Sequence, residues 1–522
     1  MTMTDAGRRS LTSMRDGFAS VLFADPDLQA EAEQPDCFAD LHLDQIVRAA
    51  TAGREEYELC GFYHRPLDDP EHVRHRQDVL DELRDGSLRE AVTAFAGEMR
   101  VVRRYVRVAQ QSRHGLSRQR WFLEATAVYR DAARGLGRAL REAAPRAAGL
   151  AALTRHLSEL LASAEFERFA SECGALREEL GALEYTVTIR GAQVQVDSFG
   201  GEERLAPRVE ETFARFAQRE APSPARRFKD LAGLNHVEEQ VLDRVARLFP
   251  EPFERLREFC ERHRSVFDEP LVRFDREVQF YLGYLEFIEP LMARGLRFAR
   301  AELEADTGIV VEDGFDLSLA ATLASEGTTP VTNDCRLDDP ERVLVVSGPN
   351  QGGKTTFARM VGQVHYLASL GLLVPAGRAA LSLPDRVFTH FEREESLETL
   401  RGKFEDELVR IRGILEAATD RSLLVMNESF GSTTLADGRL VGSEIVRRII
   451  GLRSLCVFVT FIDELASLGP ETVSMMSTVA PDDPSQRTFR IERRPADGRA
   501  YAAALARKYR LGYEELRTRI GS

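Results

Sequence analysis

The sequence predicts a multidomain protein in which a mostly α-helical region is followed by an α/β domain. Three observations carry this prediction. The chain has 522 residues, room for roughly three or four domains of ordinary size. From Phe38 to about Leu180 apolar residues recur three and four apart, as in Leu41, Leu43, Ile46 and Val47, and again in Val79, Leu80, Leu83 and Leu88. Beyond Glu341 the texture changes to short continuous apolar runs, Val343 to Val346, Leu423 to Met426 and Leu455 to Val459, separated by helical stretches. Such runs suit strands of a mostly parallel sheet covered on both faces.

Taken in order, residues 1–35 are polar and acidic without a period and read as an N-terminal arm. Residues 36–305 form the helical region. Pro66 and Pro70 break its first helices, because proline lacks the amide donor and disfavours helix in the residue before it. Residues 185–196 switch to period-two alternation around Gly191, which predicts a small hairpin. Ala221-Pro-Ser-Pro-Ala225 is the best linker candidate, and long helices are expected from about Val237 to Val266 and from Pro270 to Leu303. Residues 306–522 form the α/β domain, ending in a strand over Thr488 to Arg494 and a closing helix to Ile520.

Composition removes several functional classes. Hydrophobic residues are 43% and charged residues 30%, a globular balance. No apolar run approaches the roughly 18 residues that a bilayer span needs, so no membrane partner is expected. Lys+Arg of 70 against Asp+Glu of 84 gives −14, which excludes a uniformly basic nucleic-acid sleeve and leaves only a local patch for DNA. The six cysteines lack metal-site spacing and read as reduced thiols. The first residues lack an apolar signal core, so the expected address is the cytoplasm.

Gly348-Pro349-Asn350-Gln351-Gly352-Gly353-Lys354-Thr355 satisfies G-x-x-x-x-G-K-[ST] between a predicted strand and a predicted helix, with Thr356 next in line. In that setting glycines let backbone amides close around phosphate oxygens and the helix N-terminus adds partial positive charge. Lys354 then reaches the β- and γ-phosphates of ATP, and the Thr355 hydroxyl ligates Mg²⁺. Lysine is scarce here: Lys229, Lys354, Lys403 and Lys508 stand against 66 arginines. A second strand ends in Asn427-Glu428, where such an ATPase places a magnesium-directing acid and then the water-polarising glutamate. Glu428 suits the catalytic base. Asn427 offers a neutral carbonyl in place of a carboxylate, so the metal, held by Thr355, Asn427 and Glu428, should bind more weakly.

The 348–356 stretch, Gly371-Leu-Leu-Val-Pro-Ala376, the strand ending in Asn427-Glu428, and Thr433-Thr434 with Asp437-Gly438 resemble, in order and spacing, the ATPase domain of MutS DNA mismatch-repair proteins. Val331 to Asp334 resembles the segment leading into that domain. Asp40 to Ile46 and Val278 to Leu285 are loosely similar to the helical core, or lever, of MutS relatives. The resemblance implies an ABC-type P-loop fold and a homodimer with composite ATP sites. It also implies helical levers that pass the ATP state to a clamp on double-stranded or branched DNA. In MutS relatives the tail also packs on the partner's ATPase domain; covering its own sheet is the alternative for the tail here.

Departures from the pattern sharpen the expectation. The serine presented to the partner's γ-phosphate falls at Gly402, and Lys403 beside it would supply a cation across the interface, unless it is simply an exposed lysine. The switch histidine falls at Phe461. With Asn427, this predicts slow hydrolysis. The chain begins almost directly with the core-like region, so the mismatch-reading domain is expected to be lacking. Three Phe-x-Glu strings, at Phe122, Phe259 and Phe287, lie in helical patterns and are poor candidates for a wedge between bases.

Seven arginines lie between Arg100 and Arg120 with no acid before Glu124, which makes Arg100, Arg103, Arg104 and Arg107 the leading phosphate-contact candidates. The competing reading is a solvated helix face, or arginines paired with glutamates of neighbouring helices. The sequence thus predicts a slow, DNA-binding, MutS-like ATPase. The alternatives are a nucleotide-dependent protein-interaction or ribosome-associated switch, and a nearly inactive ATPase scaffold.

Overall fold

The computed structural model describes residues 18–24, 33–84, 86–190, 193–200, 236–303, 308–392, 402–430, 433–480, 482–483 and 486–495. The expected arm lies largely outside the described residues, and the 221–225 linker and the closing helix lie wholly outside them. The chain divides into two compact units. One comprises Met1–Phe18, Asp85–Arg146 and Leu150–Asp275; the other comprises Ala19–Arg84, Ala147–Gly149 and Arg276–Ser522. Residues 19–84 therefore group with the C-terminal part, where the sequence reading draws one linear boundary at 305/306.

Four short helices open the second unit: α1 (Cys37–Asp40), α2 (Leu43–Ala50), α3 (Cys60–Tyr63) and α4 (Pro70–Leu83). Helix α4 starts where the prolines predicted a break, with Pro70 in its first turn and the Asp69 carboxylate accepting the Glu71 amide at 2.8 Å.

Among its described residues the first unit is helical apart from one hairpin. Helices α5 (Gly86–Gln111) and α6 (Gly115–Ala143) are joined by a three-residue turn and pack along each other. Their buried residues, Leu88, Val92, Phe95 and Met99 on α5 and Leu136 and Leu140 on α6, recur three and four apart, which fixes the inward face. Helices α7 (Ala148–Ala162) and α8 (Ala164–Gly181) follow, Ser163 capping α8 through the Phe166 amide at 3.1 Å. Strands β1 (Tyr185–Arg190) and β2 (Gln193–Ser198) pair antiparallel as the expected hairpin.

Two helix boundaries differ from expectation. The single helix expected from 237 to 266 is two, α9 (His236–Leu248) and α10 (Pro250–Arg262), because Pro250 is accommodated only in the first turn of a new helix. Helix α11 (Glu269–Met292) stops short of residue 303. There Gly295 adopts φ 90, its amide bonds to Met292 O at 2.9 Å and the Leu296 amide to Leu291 O at 3.3 Å, the Schellman arrangement that ends a helix. The three Phe-x-Glu strings lie within α6, α10 and α11.

The rest of the second unit is α/β. Strands β3 (Glu302–Leu303) and β4 (Ile309–Gly314), helix α12 (Leu317–Ser325) and strand β5 (Asn333–Leu337) lead to β6 (Val343–Ser347) and α13 (Lys354–Ser369). After these come β7 (Arg378–Leu381), β8 (Val387–Phe391), α14 (Lys403–Ala417), β9 (Leu423–Asn427), α15 (Leu435–Leu452), β10 (Leu455–Val459), β11 (Thr472–Val479) and β12 (Arg487–Arg493). The main sheet runs β12-β11-β6-β10-β9-β8, parallel except for β12, and a smaller sheet runs β3-β7-β4-β5. Strands β6 and β9 are buried at every position, as continuous apolar runs require. Val343, Val345, Leu424, Met426 and Phe458 pack with Ile411 of α14 and Ile445 and Ile449 of α15; alternate residues point to the opposite face. No described helix is long and apolar enough to cross a membrane.

One buried group on α13 makes stability depend on pH. His365 is fully buried, its Nδ1 lies 2.8 Å from Val361 O, and burial lowers its pKa to about 4. The unfolded chain binds that proton near the ordinary imidazole value of 6.5, so this contribution is intact above 6.5 and is lost as pH falls through the 6.5-to-4 window. The loss should reach on the order of 3 kcal/mol. Chemical denaturation of His365→Leu should show a correspondingly smaller drop between pH 7 and pH 4; an unchanged drop would assign the acid sensitivity elsewhere.

Candidate functional site

Residues 348–353 connect β6 to α13 and turn through three left-handed positions, Gly348 (φ 113), Gln351 (φ 60) and Gly353 (φ 91). Strand β11 decides why two of the loop's residues are glycine. A Cβ on Gly348 would lie 2.9 Å from the Ser477 carbonyl oxygen, and one on Gly352 would lie 2.1 Å from Ser477 Oγ, which itself donates to Gly352 O at 2.7 Å. Gly353 precedes α13 without a side-chain cap, so the first-turn amides receive no side-chain acceptor. Lys354 folds back beneath the loop. Its Nζ donates to Gly348 O (3.1 Å), Pro349 O (3.2 Å) and Asn350 Oδ1 (3.4 Å). Burial lowers its pKa, and the Glu428 charge opposes that shift. From β12, Arg487 Nε donates to Asn350 O at 3.2 Å.

At the end of β9, Asn427 is buried and its Oδ1 has no hydrogen-bond partner. Glu428 follows with φ 53, its amide bonded to Val459 O at 3.0 Å, so the turn is tied to the neighbouring strand β10. The loop and this strand end share a cavity of about 580 Å³. Gln351, Gly352, Gly353, Lys354, Thr355, Thr356 and Glu428 are among the residues that line it, and Gly348, Pro349, Asn350 and Asn427 are not.

The lining also includes the apolar residues Leu319 and Leu323 of α12, Pro330, Val331 and Phe489, with Thr328, Thr329 and Asn333 among them. Sequence reasoning missed these apolar residues: two leucines of an ordinary helix and a phenylalanine of an edge strand carry no motif. Phe489 is held in place by Asn333, whose Nδ2 donates to Phe489 O at 3.1 Å and whose Oδ1 accepts the Ile491 amide at 2.7 Å. Phe489 also adopts φ 59 while half exposed, a conformation a bulky residue rarely keeps without such support.

Two other predicted residues lie elsewhere. Lys403 opens α14, and its side chain lies outside the described residues. Phe461 follows β10 and is 51% exposed. In the first unit, Arg100 and Arg107 are exposed on α5, while Arg103 forms an ion pair with buried Asp275. Arg120 pairs with Glu124, Arg118 donates to Ser112 O at 3.3 Å, and His114 Nε2 lies 3.1 Å from Asp243. Part of the arginine-rich stretch is therefore paired within its own unit.

Residues 344–502 match the family model described as MutS domain V, the ATPase domain of MutS. The matched segment begins in β6 and takes in the 348–353 loop, the β9 end and β12. The match supports MutS kinship for this part of the chain.

Proposed function

We propose that the second unit is a P-loop ATPase that binds ATP with Mg²⁺ and hydrolyses it slowly, acting in a homodimer on double-stranded or branched DNA. The observation that carries the reading is the cavity of about 580 Å³ lined together by a glycine-bearing loop, Lys354, Glu428 and the apolar Leu319, Leu323 and Phe489. That mixture suits a nucleotide, with the base against Leu319, Leu323 and Phe489 and the phosphates against the loop amides and Lys354. Match of residues 344–502 to MutS domain V points the same way.

The residues present fit Mg²⁺. Asn427 Oδ1 is a buried oxygen without a hydrogen-bond partner, and the Thr355 hydroxyl and Glu428 carboxylate lie among the cavity residues, all of them hard oxygen donors. Thr355, Asn427 and Glu428 would hold the ion, which would supply positive charge to offset the charge that builds on the phosphates. Lys354 supplies an ammonium that must leave its loop acceptors to meet phosphate, and Glu428 is the carboxylate available to orient water and take its proton. Asn427 brings one negative charge fewer than a carboxylate would, and Phe461 has no hydrogen-bonding side chain. Both favour slow turnover. Restoring the charge with Asn427→Asp should raise phosphate release at saturating Mg²⁺ by about tenfold, equivalent to about 1.4 kcal/mol of barrier. A wild-type rate already fast, or a variant no faster, would contradict slow turnover caused by Asn427.

The dimer is supported by large apolar side chains left in solvent on α15, Leu435 at 60% and Leu440 at 72% exposure, in the same unit as exposed Phe461. Lys403 would act across that interface. Exposed Arg100 and Arg107, with Arg104 nearby, are the candidate phosphate contacts, which are salt-sensitive and blind to sequence. The commitment of Arg103 to Asp275 and of Arg120 to Glu124 favours a second reading, a nucleotide-dependent protein-interaction switch. Gel retardation on homoduplex, mismatched and branched DNA, with and without ATP, separates the two. Retention that weakens with salt supports DNA, and equal failure on all three substrates removes it.

A further inference from the structure

The turn that carries Glu428 is held in an unfavourable backbone conformation from outside. Glu428 (φ 53) and Phe430 (φ 71) are both non-glycine residues in the left-handed region, one residue apart. Such positions persist only where surrounding structure over-determines them. Two buried side chains from other elements do so here, together with the packing of the Phe430 ring itself. Glu407 of α14, 5% exposed, accepts the Phe430 amide through Oε2 at 3.3 Å. His390 at the end of β8, 1% exposed, places Nδ1 3.1 Å from Ser429 Oγ. The Phe430 ring is fully buried and meets Phe404 of α14 edge-on at 6.3 Å. Glu407 accepts the amide at the long end of the hydrogen-bond range, and its burial keeps water from replacing it there.

We infer that Glu407 is a positioning residue for Glu428, holding the 427–430 turn from α14 while His390 holds it from β8. The inference rests on the ATPase reading above. Glu407 does not line the cavity, whereas Glu428 does, so the effect of Glu407 must pass through the turn. Losing the tether should spoil the orientation of the carboxylate that acts on water and leave the nucleotide contacts of the loop and Lys354 untouched.

The test compares Glu407→Ala, Glu407→Gln, Ser429→Ala and Glu428→Gln for kcat, KM for ATP and amide exchange of the turn. Glu407→Ala should lower kcat by about tenfold with KM changed less than about twofold. Glu407→Gln keeps an oxygen acceptor at the same place and should recover most of kcat. Exchange at the Phe430 amide should quicken in the alanine variant alone. Ser429→Ala, which removes only a hydroxyl, should lower kcat in the same direction by about threefold and serves if Glu407→Ala does not fold. Wild-type turnover lost in Glu428→Gln but unchanged in Glu407→Ala, or in Ser429→Ala where that variant serves, overturns the positioning role alone. So does a loss that moves kcat and KM together, or one that glutamine fails to rescue. A wild-type rate no higher than that of Glu428→Gln removes the ATPase reading, and with it the reaction Glu407 would serve.

Discussion

Lys354→Ala is expected to reduce ATP turnover to background and to weaken nucleotide binding by at least about a hundredfold. The side chain is 6% exposed and already spends its three donors on Gly348 O, Pro349 O and Asn350 Oδ1, so it is a pre-placed cation under the loop. Exchanging those acceptors for phosphate oxygens gains charge-assisted bonds, each worth about 1.5–3 kcal/mol, and two of them account for the hundredfold. Arginine is not an equivalent replacement, since its wider planar head has no room in a pocket shaped for a compact ammonium. Titration with a fluorescent ATP analogue and phosphate release measure the two effects. Binding that survives Lys354→Ala at full strength would show that the cavity takes something other than a phosphate-bearing ligand. The fold should tolerate the change, because the hydrogen bonds of the side chain go to the loop.

Gly348→Ala is expected to disable the same site by a different route. At φ 113 an L-residue is strained by about 1–3 kcal/mol, and the added methyl would also press on the backbone of Ser477, whose carbonyl oxygen lies 2.9 Å and whose nitrogen lies 3.1 Å from the new carbon. Ser477 belongs to β11, a central strand paired with β6 on one side and β12 on the other, and cannot retreat without disturbing both. The loop must move instead. Nucleotide affinity should fall by at least about tenfold, with a lower thermal midpoint. Gly413→Ala on α14, where an added Cβ meets nothing within 4 Å, is the control that should leave binding unchanged. Equal behaviour of the two alanine variants would mean that the loop relaxes away from β11 freely.

Legibility of the site in the sequence followed how local each feature is. The loop from Gly348 to Thr356 and the strand end Asn427-Glu428 are contiguous strings whose chemistry depends on neighbours one to eight residues away. They could be read before any contact was known. The 185–196 hairpin and the helix start at Pro70 were legible for the same reason, a period of two or a missing amide being written into adjacent residues. The boundary at Pro250 was equally local and yet went unread, one helix being expected from about Val237 to Val266 where the proline ends one helix and begins another.

The amino-acid sequence by itself determined a helical region followed by a strand-loop-helix that carries the G-x-x-x-x-G-K-[ST] spacing, because periodicity and spacing act along the chain. Only the tertiary structure decided what surrounds that loop. Phe489 reaches the loop from more than a hundred positions away, Glu407 meets the amide of Phe430 across a separation of 23, and Arg103 finds Asp275 across 172. None of these pairs leaves a period, so a run of arginines reads as free charge until the acid partner is seen. Ser477 explains the glycines of the loop only once β11 is placed beside β6. The physical reason is the same throughout: burial and pairing are properties of positions in space, and a sequence lists residues by bond order alone.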